Sequence, residues 1–449
     1  MKNFFLIKNA TIVNENRTFT GSVLIENQII KKIFASEKLP LLPNKINIID
    51  ATGLILIAGV IDSHVHFRTP GLEEKGDFAS ESRAAIAGGI TSFLDMPNTK
   101  PKTTTIDLLE QKSEIAAQMS LANYGFFIGA TNNNLQELKK LPNGNVCGVK
   151  IFMGGGEGDL LIDNEKTLSA IFAEISALIA VHSEDEQIIR QNIDFYKNKF
   201  RATEIPIEYH PLIRSAEACY RSSERVAALA TKYGARLHIL HLSTEKELQF
   251  FDSKPLIDKK ITAETCVHYL WFSDKDYKYF GAKIKCNPAI KTESDRLSLI
   301  NALNINKLDI ISTDHAPHLL YDKRGGCLTA KSGIPSVQHS LVAMLELVKN
   351  GYLTMEKVVE KMCHAPAELY KIEKRGYIRE NYFADLVLIN PNEKWTDSRD
   401  NILYKCGWSP FENTEFSNKV VTVFVNGKKV FDNGTFDETH KGERLKFSA

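Results

Sequence analysis

Between residues 58 and 313, short apolar runs alternate with amphipathic stretches. No other feature of this chain limits its fold so strongly. Strand-like runs fall near 58–66 and at 90–95, 122–129, 147–152, 178–182, 236–241, 261–266 and 308–313. Helical periodicity fills several gaps between them, most clearly at 77–88, 106–120, 166–176, 215–233 and 244–251. Parallel neighbours need a crossover of a dozen or more residues, usually a helix, so this alternation predicts a parallel sheet. Eight strands point to a closed α/β structure, a (β/α)8 TIM-type barrel. A doubly wound open sheet is the alternative, and it requires no particular strand count.

The two ends of the chain read differently. Residues 4–7, 10–13, 22–26 and 28–34 are short strands, with Glu26-Asn27 as a turn. Near the other end, 384–389 and 420–425 are strands, and Asn426-Gly427 is a strong hairpin signal leading into 428–431. Together they predict a small composite β-sandwich domain formed by both termini. The expected boundaries are 1–55 for its first part, 56–375 for the barrel and 376–449 for its second part.

Bulk properties narrow the function classes. Hydrophobic content is 43% and charged content 25%, ordinary for a soluble globular protein, and the net charge is only +1. No bulk field attracts nucleic acid or an anionic membrane, so the expected partner is a small-molecule substrate. No apolar run approaches the roughly 20 residues of a spanning helix. The apolar core of Met1–Lys8 is too short for a signal peptide. Seven scattered cysteines, with no Cys-x-x-Cys pair, fit a reducing, cytoplasmic setting and exclude a disulfide framework. The cluster Gly154-Gly155-Gly156-Glu157-Gly158 lacks the Lys-Ser/Thr of a phosphate loop and reads as a mobile loop.

The chemistry begins at Asp62-Ser63-His64-Val65-His66-Phe67-Arg68. On a strand, Asp62, His64, His66 and Arg68 share one face. Two imidazoles there can grip one metal ion, and the arginine beyond them can hold an anion. In a barrel, strand C-terminal ends converge on one site. His182, His241 and Asp314 close three other predicted strands, and four histidines with an aspartate suit zinc. His238, three residues before His241, is expected on the opposite face in a structural role. His210, His339, His364 and His440 lie away from strand ends and read as structural or solvated, while His268 stays unassigned. Lys150 sits inside the apolar strand 147–152. A buried ammonium is costly. Carboxylation by CO₂ and pairing with a nearby carboxylate are both solutions, and spacing alone does not choose between them.

These residues fall within motifs that resemble the cyclic amidohydrolases, most closely the dihydroorotase family. The motifs are Asp62–Arg68 followed by Pro70-Gly71, Met96-Pro97-Asn98-Thr99, His182-Ser183-Glu184-Asp185-Glu186, Asn287-Pro288 and Thr313-Asp314-His315-Ala316-Pro317-His318. The resemblance covers nearly the whole chain. It implies two zinc ions held by His64, His66, Lys150 (as a carbamate), His182, His241 and Asp314. It implies that Arg68, Asn98 and His318 bind a substrate carboxylate, that Asn287 positions the ring, and that Asp314 is the catalytic proton shuttle. The implied reaction is the reversible cyclisation of N-carbamoyl-L-aspartate to L-dihydroorotate in pyrimidine synthesis, by a homodimer. Val267 departs from the proline common in relatives, which should alter only a local turn. Arg68 separates this reading from its alternative, a hydantoinase- or dihydropyrimidinase-like enzyme, whose substrates lack the carboxylate that an arginine fork matches. The polar segment from Leu319 to Gly333 is expected to be a loop that closes over the substrate.

Overall fold

The computed structural model describes residues 3–35, 45–141, 144–155, 158–201 and 204–448. Its centre is a parallel sheet of eight strands in chain order: β1 (Val60–Val65), β2 (Ile90–Asp95), β3 (Asn123–Gly129), β4 (Gly148–Phe152), β5 (Ile179–His182), β6 (Leu237–Ile239), β7 (Ile261–Cys266) and β8 (Ile310–Ser312). All but the first residue of β7 are buried, as expected when helices cover one face and packed side chains fill the other. Several of the longer helices start where a side chain satisfies their unpaired N–H groups. Asp77 forms a capping box with Ser80 ahead of Phe78–Ala87, Thr105 caps Ile106–Met119 and Ser215 caps Ala216–Tyr233.

The expected helix at 244–251 is instead a 3-10 segment, Lys246–Phe250. Three further helices lie outside those expected. Glu186–Phe200 fully buries only Ile189 but packs Ile188, Ile193, Tyr196 and Phe200 against the core. Glu293–Asn304 spreads its apolar residues around the axis. Ser340–Lys349 is buried on nearly every side, which removes the amphipathic signal.

The barrel closes without a regular ladder between β1 and β8. A single bridge joins Val65 to His315, and His66 N donates to His315 O at 2.7 Å. The remaining closure comes from Asp62, near the middle of β1. Its Oδ2 accepts from Thr313 Oγ1 at 2.6 Å, and its Oδ1 accepts from the backbone N–H groups of Thr313 and His64, both at 3.2 Å. The buried carboxylate thus joins the two strands, and Thr313 Oγ1 also lies 3.3 Å from His64 O.

The termini build a separate sheet. Its path runs through Thr435–Phe436, Lys428–Asp432, Lys419–Val425, Leu386–Asn390, Ile55–Ala58, Phe4–Asn14, Arg17–Glu26 and Ile29–Phe34, with Asn47–Asp50 paired beside Phe4–Asn14. Ile55–Ala58 lies between the N- and C-terminal parts and leads straight into β1. The hairpin turn has positive φ at Asn426 and Gly427, and a Cβ at Gly427 would stand 1.9 Å from Asn27 O. A buried polar knot ties this sheet to the barrel. Asp385 accepts from Asn426 N at 2.7 Å and from Asn123 Nδ2 at 3.3 Å, and it pairs with Arg375; Asn426 Nδ2 donates to Asn123 Oδ1 at 2.9 Å. Asp385→Ala leaves Arg375 buried without that carboxylate. It is expected to cost about 3–5 kcal/mol, read as a lowered denaturant midpoint; an unchanged midpoint would show that the knot contributes nothing.

Candidate metal centre and active site

Strand geometry delivers the key side chains to one end of the barrel. His64, His66 and Asp314 meet there, with ligand atoms all within 4.8 Å of one another. Asp314 Oδ1 lies 3.0 Å from His66 Nε2 and 3.2 Å from His64 Nε2. The other ring nitrogens are occupied: His64 Nδ1 meets Glu264 Oε1 at 2.6 Å, and His66 Nδ1 meets Asn98 Oδ1 at 2.6 Å. Both rings therefore present Nε2 to Asp314, the arrangement by which outer partners orient metal-binding imidazoles. The His241 ring lies 5.3 Å from that of His64 and 4.5 Å from that of His182, and its buried Nδ1 finds no hydrogen-bond partner among the described residues.

His182 is the expected ligand whose ring nitrogen is engaged elsewhere. Its Nε2 meets Glu184 Oε2 at 2.9 Å, and Glu184 is also held by Arg214. Lys150 is buried in β4, its Nζ 4.6 Å from the centre of the Phe152 ring. Burial pulls its pKa down to about 7, against the attraction of Asp314 and Glu264.

Protonation states favour metal binding. Burial lowers His66 to about 4 despite Asp314, and burial likewise lowers His182 and His241. Burial pushes the Asp314 carboxyl up, but His64 and His66 outweigh it and hold the group below the usual carboxylate range. Neutral imidazoles beside an ionised carboxylate are what a divalent cation requires. The donor set therefore fits a divalent metal ion.

Arg68, Asn98 and His318, three of the four candidates for the substrate side, lie at the same end of the barrel. Arg68 Nε donates to Pro317 O at 3.1 Å, which places the guanidinium beside His318. Burial and the Arg68 cation hold the His318 imidazole far below its ordinary pKa. Asn98 meets His66 as described, and Asn287 Oδ1 is buried without a hydrogen-bond partner among the described residues. Arg68, His241 and Asp314 have φ of 71°, 41° and 45°. Left-handed backbone at three non-glycine residues is strain of the kind concentrated at functional sites.

The positive φ at His241 overturns one expectation. β6 ends at Ile239, so strict alternation does not extend to His241. His238 consequently points into the barrel, with Nδ1 at 2.9 Å from Thr262 Oγ1 and Nε2 at 3.4 Å from Glu264 Oε2. Glu264 is the central residue that sequence reasoning passed over. It accepts from Ser63 Oγ at 3.0 Å as well as meeting both histidines, and His64 and His238 overcome burial to keep it ionised. Its signal was alternation on β7, where Glu264 and Cys266 share the interior face. His268 is fully buried near Asp314 and His64. Val267 opens the short helix Val267–Trp271, a first-turn position where proline is also tolerated. Gly156 and Glu157 of the glycine cluster lie outside the described residues.

Comparison with known proteins places this geometry. The model of the Amidohydrolase family matches residues 55–430. A dihydroorotase of Methanosphaera stadtmanae is 31% identical over 94% of this chain and 95% of its own length. A dihydroorotase of Methanosarcina acetivorans is 32% identical over 91% and 88%. The solved structure of an L-hydantoinase (dihydropyrimidinase) from Arthrobacter aurescens superposes with a TM-score of 0.91 at 24% identity, covering 99% of this chain and 100% of that one.

Glu264→Gln is expected to weaken zinc affinity by about 10- to 100-fold, measured by competition with a chromophoric chelator; wild-type affinity would remove Glu264 from the support of His64. The barrel, the converging His64, His66 and Asp314, and the sequence match across most of the chain give one conclusion: this protein belongs to the amidohydrolase family, within its dihydroorotase group, and is a cyclic amide hydrolase.

Proposed function

We propose that the protein is a zinc-dependent dihydroorotase, interconverting N-carbamoyl-L-aspartate and L-dihydroorotate plus water. The observation that carries this reading is Arg68, anchored to Pro317 O beside His318 at the edge of the His64–His66–Asp314 group. A guanidinium next to the reacting end of the site suits a ring that bears a carboxylate. The hydantoinase-like alternative has the fold likeness in its favour but offers no substrate carboxylate to this cation.

Two zinc ions would be held by His64, His66, Lys150, His182, His241 and Asp314, with Lys150 as a carbamate. A neutral amine is the form that adds to CO₂, giving carbamate and a proton, and burial of Lys150 favours that form. When bound, zinc supplies Lewis-acid polarisation of the ring carbonyl and lowers the pKa of water. Asp314, ionised between two imidazoles, takes the proton of the attacking water and passes it to the departing ring nitrogen; in ring closure it returns it. Arg68, Asn98 and His318 hold the carboxylate, and Asn287 orients the ring, so the scissile amide faces Asp314. The same reading makes the protein a cytoplasmic homodimer, and its seven buried, unpaired cysteines are compatible with a reducing compartment. No described helix is long and apolar enough to cross a membrane.

The direct test is dihydroorotate ring opening by protein of measured zinc content; activity on hydantoin or dihydrouracil without activity on dihydroorotate would reverse the choice. Asp314→Asn is expected to lower kcat by at least about 10²–10⁴-fold, the usual range for general acid–base catalysis, and a near-normal rate would end its role as proton carrier. Arg68→Ala should raise KM for dihydroorotate by roughly 30- to 100-fold, about 2–3 kcal/mol for charge-assisted hydrogen bonding. Equal losses on an uncharged hydantoin would refute the carboxylate assignment.

A further inference from the structure

The segment from Leu319 to Gly333 is held down along its length. Cys327 N donates to Ile205 O at 2.8 Å, Leu328 N donates to Glu204 Oε1 at 2.8 Å, and Lys331 N donates to Asp322 O at 2.8 Å. Two buried lysines sit underneath. Lys285 Nζ donates to Cys327 O at 2.8 Å and also to Ala330 O. Lys323 Nζ donates to three backbone carbonyls: Lys285 O at 3.0 Å, Lys331 O at 2.7 Å and Gly333 O at 2.8 Å. Three carbonyl acceptors lie around the one Nζ donor atom of Lys323. The expected closing loop is, in this structure, a fastened wall.

The fastened end bears on His318. Gly333, whose carbonyl Lys323 holds, lies so close that a Cβ there would stand 2.9 Å from His318 Cδ2 and 2.3 Å from Ala316 O. From the other side, the buried Trp408 indole donates through Nε1 to His318 O at 2.8 Å, and Lys323 Nζ lies 5.9 Å from the Trp408 ring centre. Trp408 belongs to the C-terminal stretch between Leu386–Asn390 and Lys419–Val425, not to the barrel. His318 is thus gripped through its backbone by Trp408 and has its ring beside the Gly333 backbone that Lys323 secures.

We propose that Lys323 and Trp408 are positioning residues that clamp His318, and so set the substrate-carboxylate subsite from outside the barrel. The inference deepens the dihydroorotase reading and rests on it for the identity of the group His318 faces. Neither residue touches the metal-binding side chains, so the clamp should govern substrate binding and leave the chemical step alone.

The test compares wild type with Trp408→Phe and Lys323→Met. The first removes one N–H while keeping an aromatic ring; the second removes the ammonium while keeping an unbranched chain. Lys323→Met leaves three carbonyls unsatisfied and can fail to fold, so Trp408→Phe is the primary variant. The expected result for Trp408→Phe is a KM for dihydroorotate raised about fivefold to tenfold, the size of one neutral hydrogen bond, with kcat within about twofold and zinc content unchanged. Lys323→Met, where soluble, should raise KM further. Unchanged KM in Trp408→Phe would overturn the clamp, and so would a parallel fall in kcat and zinc content, which marks general damage. A crystal structure of Trp408→Phe with His318 and Gly333 unmoved would overturn it whatever the substrate is. A zinc-loaded wild type inactive on dihydroorotate would instead sink the functional reading.

Discussion

Closing a barrel brings together residues that the chain keeps far apart, and here the closure runs through one carboxylate. His66 and Asp314 are separated by 248 residues, yet they meet at 3.0 Å because the first and last strands are drawn side by side. Asp62 does this where the ladder is absent, receiving Thr313 through side chain and backbone and His64 through backbone. Burial raises the Asp62 pKa to about 7, and the Thr313 hydroxyl partly offsets that rise. The residue lies on the same strand as His64, which leads toward His66, but serves the joint, which brings Asp314 to both histidines.

Around the centre, buried charges are arranged so that each supports another. Glu264 connects Ser63, His64 and His238, while Asn98 holds His66. Asp95, at the end of β2, accepts from Phe67 N at 2.6 Å and pairs with Lys112 at 2.5 Å, and Lys112 in turn donates to Met96 O at 2.8 Å. The backbone between His66 and Arg68, strained at Arg68, is thereby tied to the loop that carries Asn98. Such satisfied networks rigidify a site, because any one broken member leaves a costly unpaired group in a low-dielectric interior.

The barrel was legible because its signal is local and repeated: each strand is a short apolar run, and each clear helix carries a 3.6-residue period. Ser340–Lys349 was illegible because it is buried on nearly every side and shows no single face. The candidate ligands were legible as polar residues at the ends of apolar runs. Glu264 was harder, since a buried glutamate within a strand looks like any other polar interruption until His64 and His238 are seen on either side of it. His238 was misplaced because alternation was extended across His241, where the backbone turns left-handed.

Residue types and their spacing alone therefore determined the fold class, the composite terminal domain, and the candidate residues His64, His66 and Asp314 that meet at one end of the barrel. These properties follow from periodicity and side-chain chemistry, which act over a few residues. Only the tertiary structure decided which nitrogen each imidazole presents, that Asp62 closes the barrel, that Lys323 fastens 319–333 as a wall, and that Trp408 reaches His318 from the C-terminal stretch. Those outcomes depend on distances between segments far apart in the chain. Such distances arise only when the core packs and the two ends of the sheet are brought into contact.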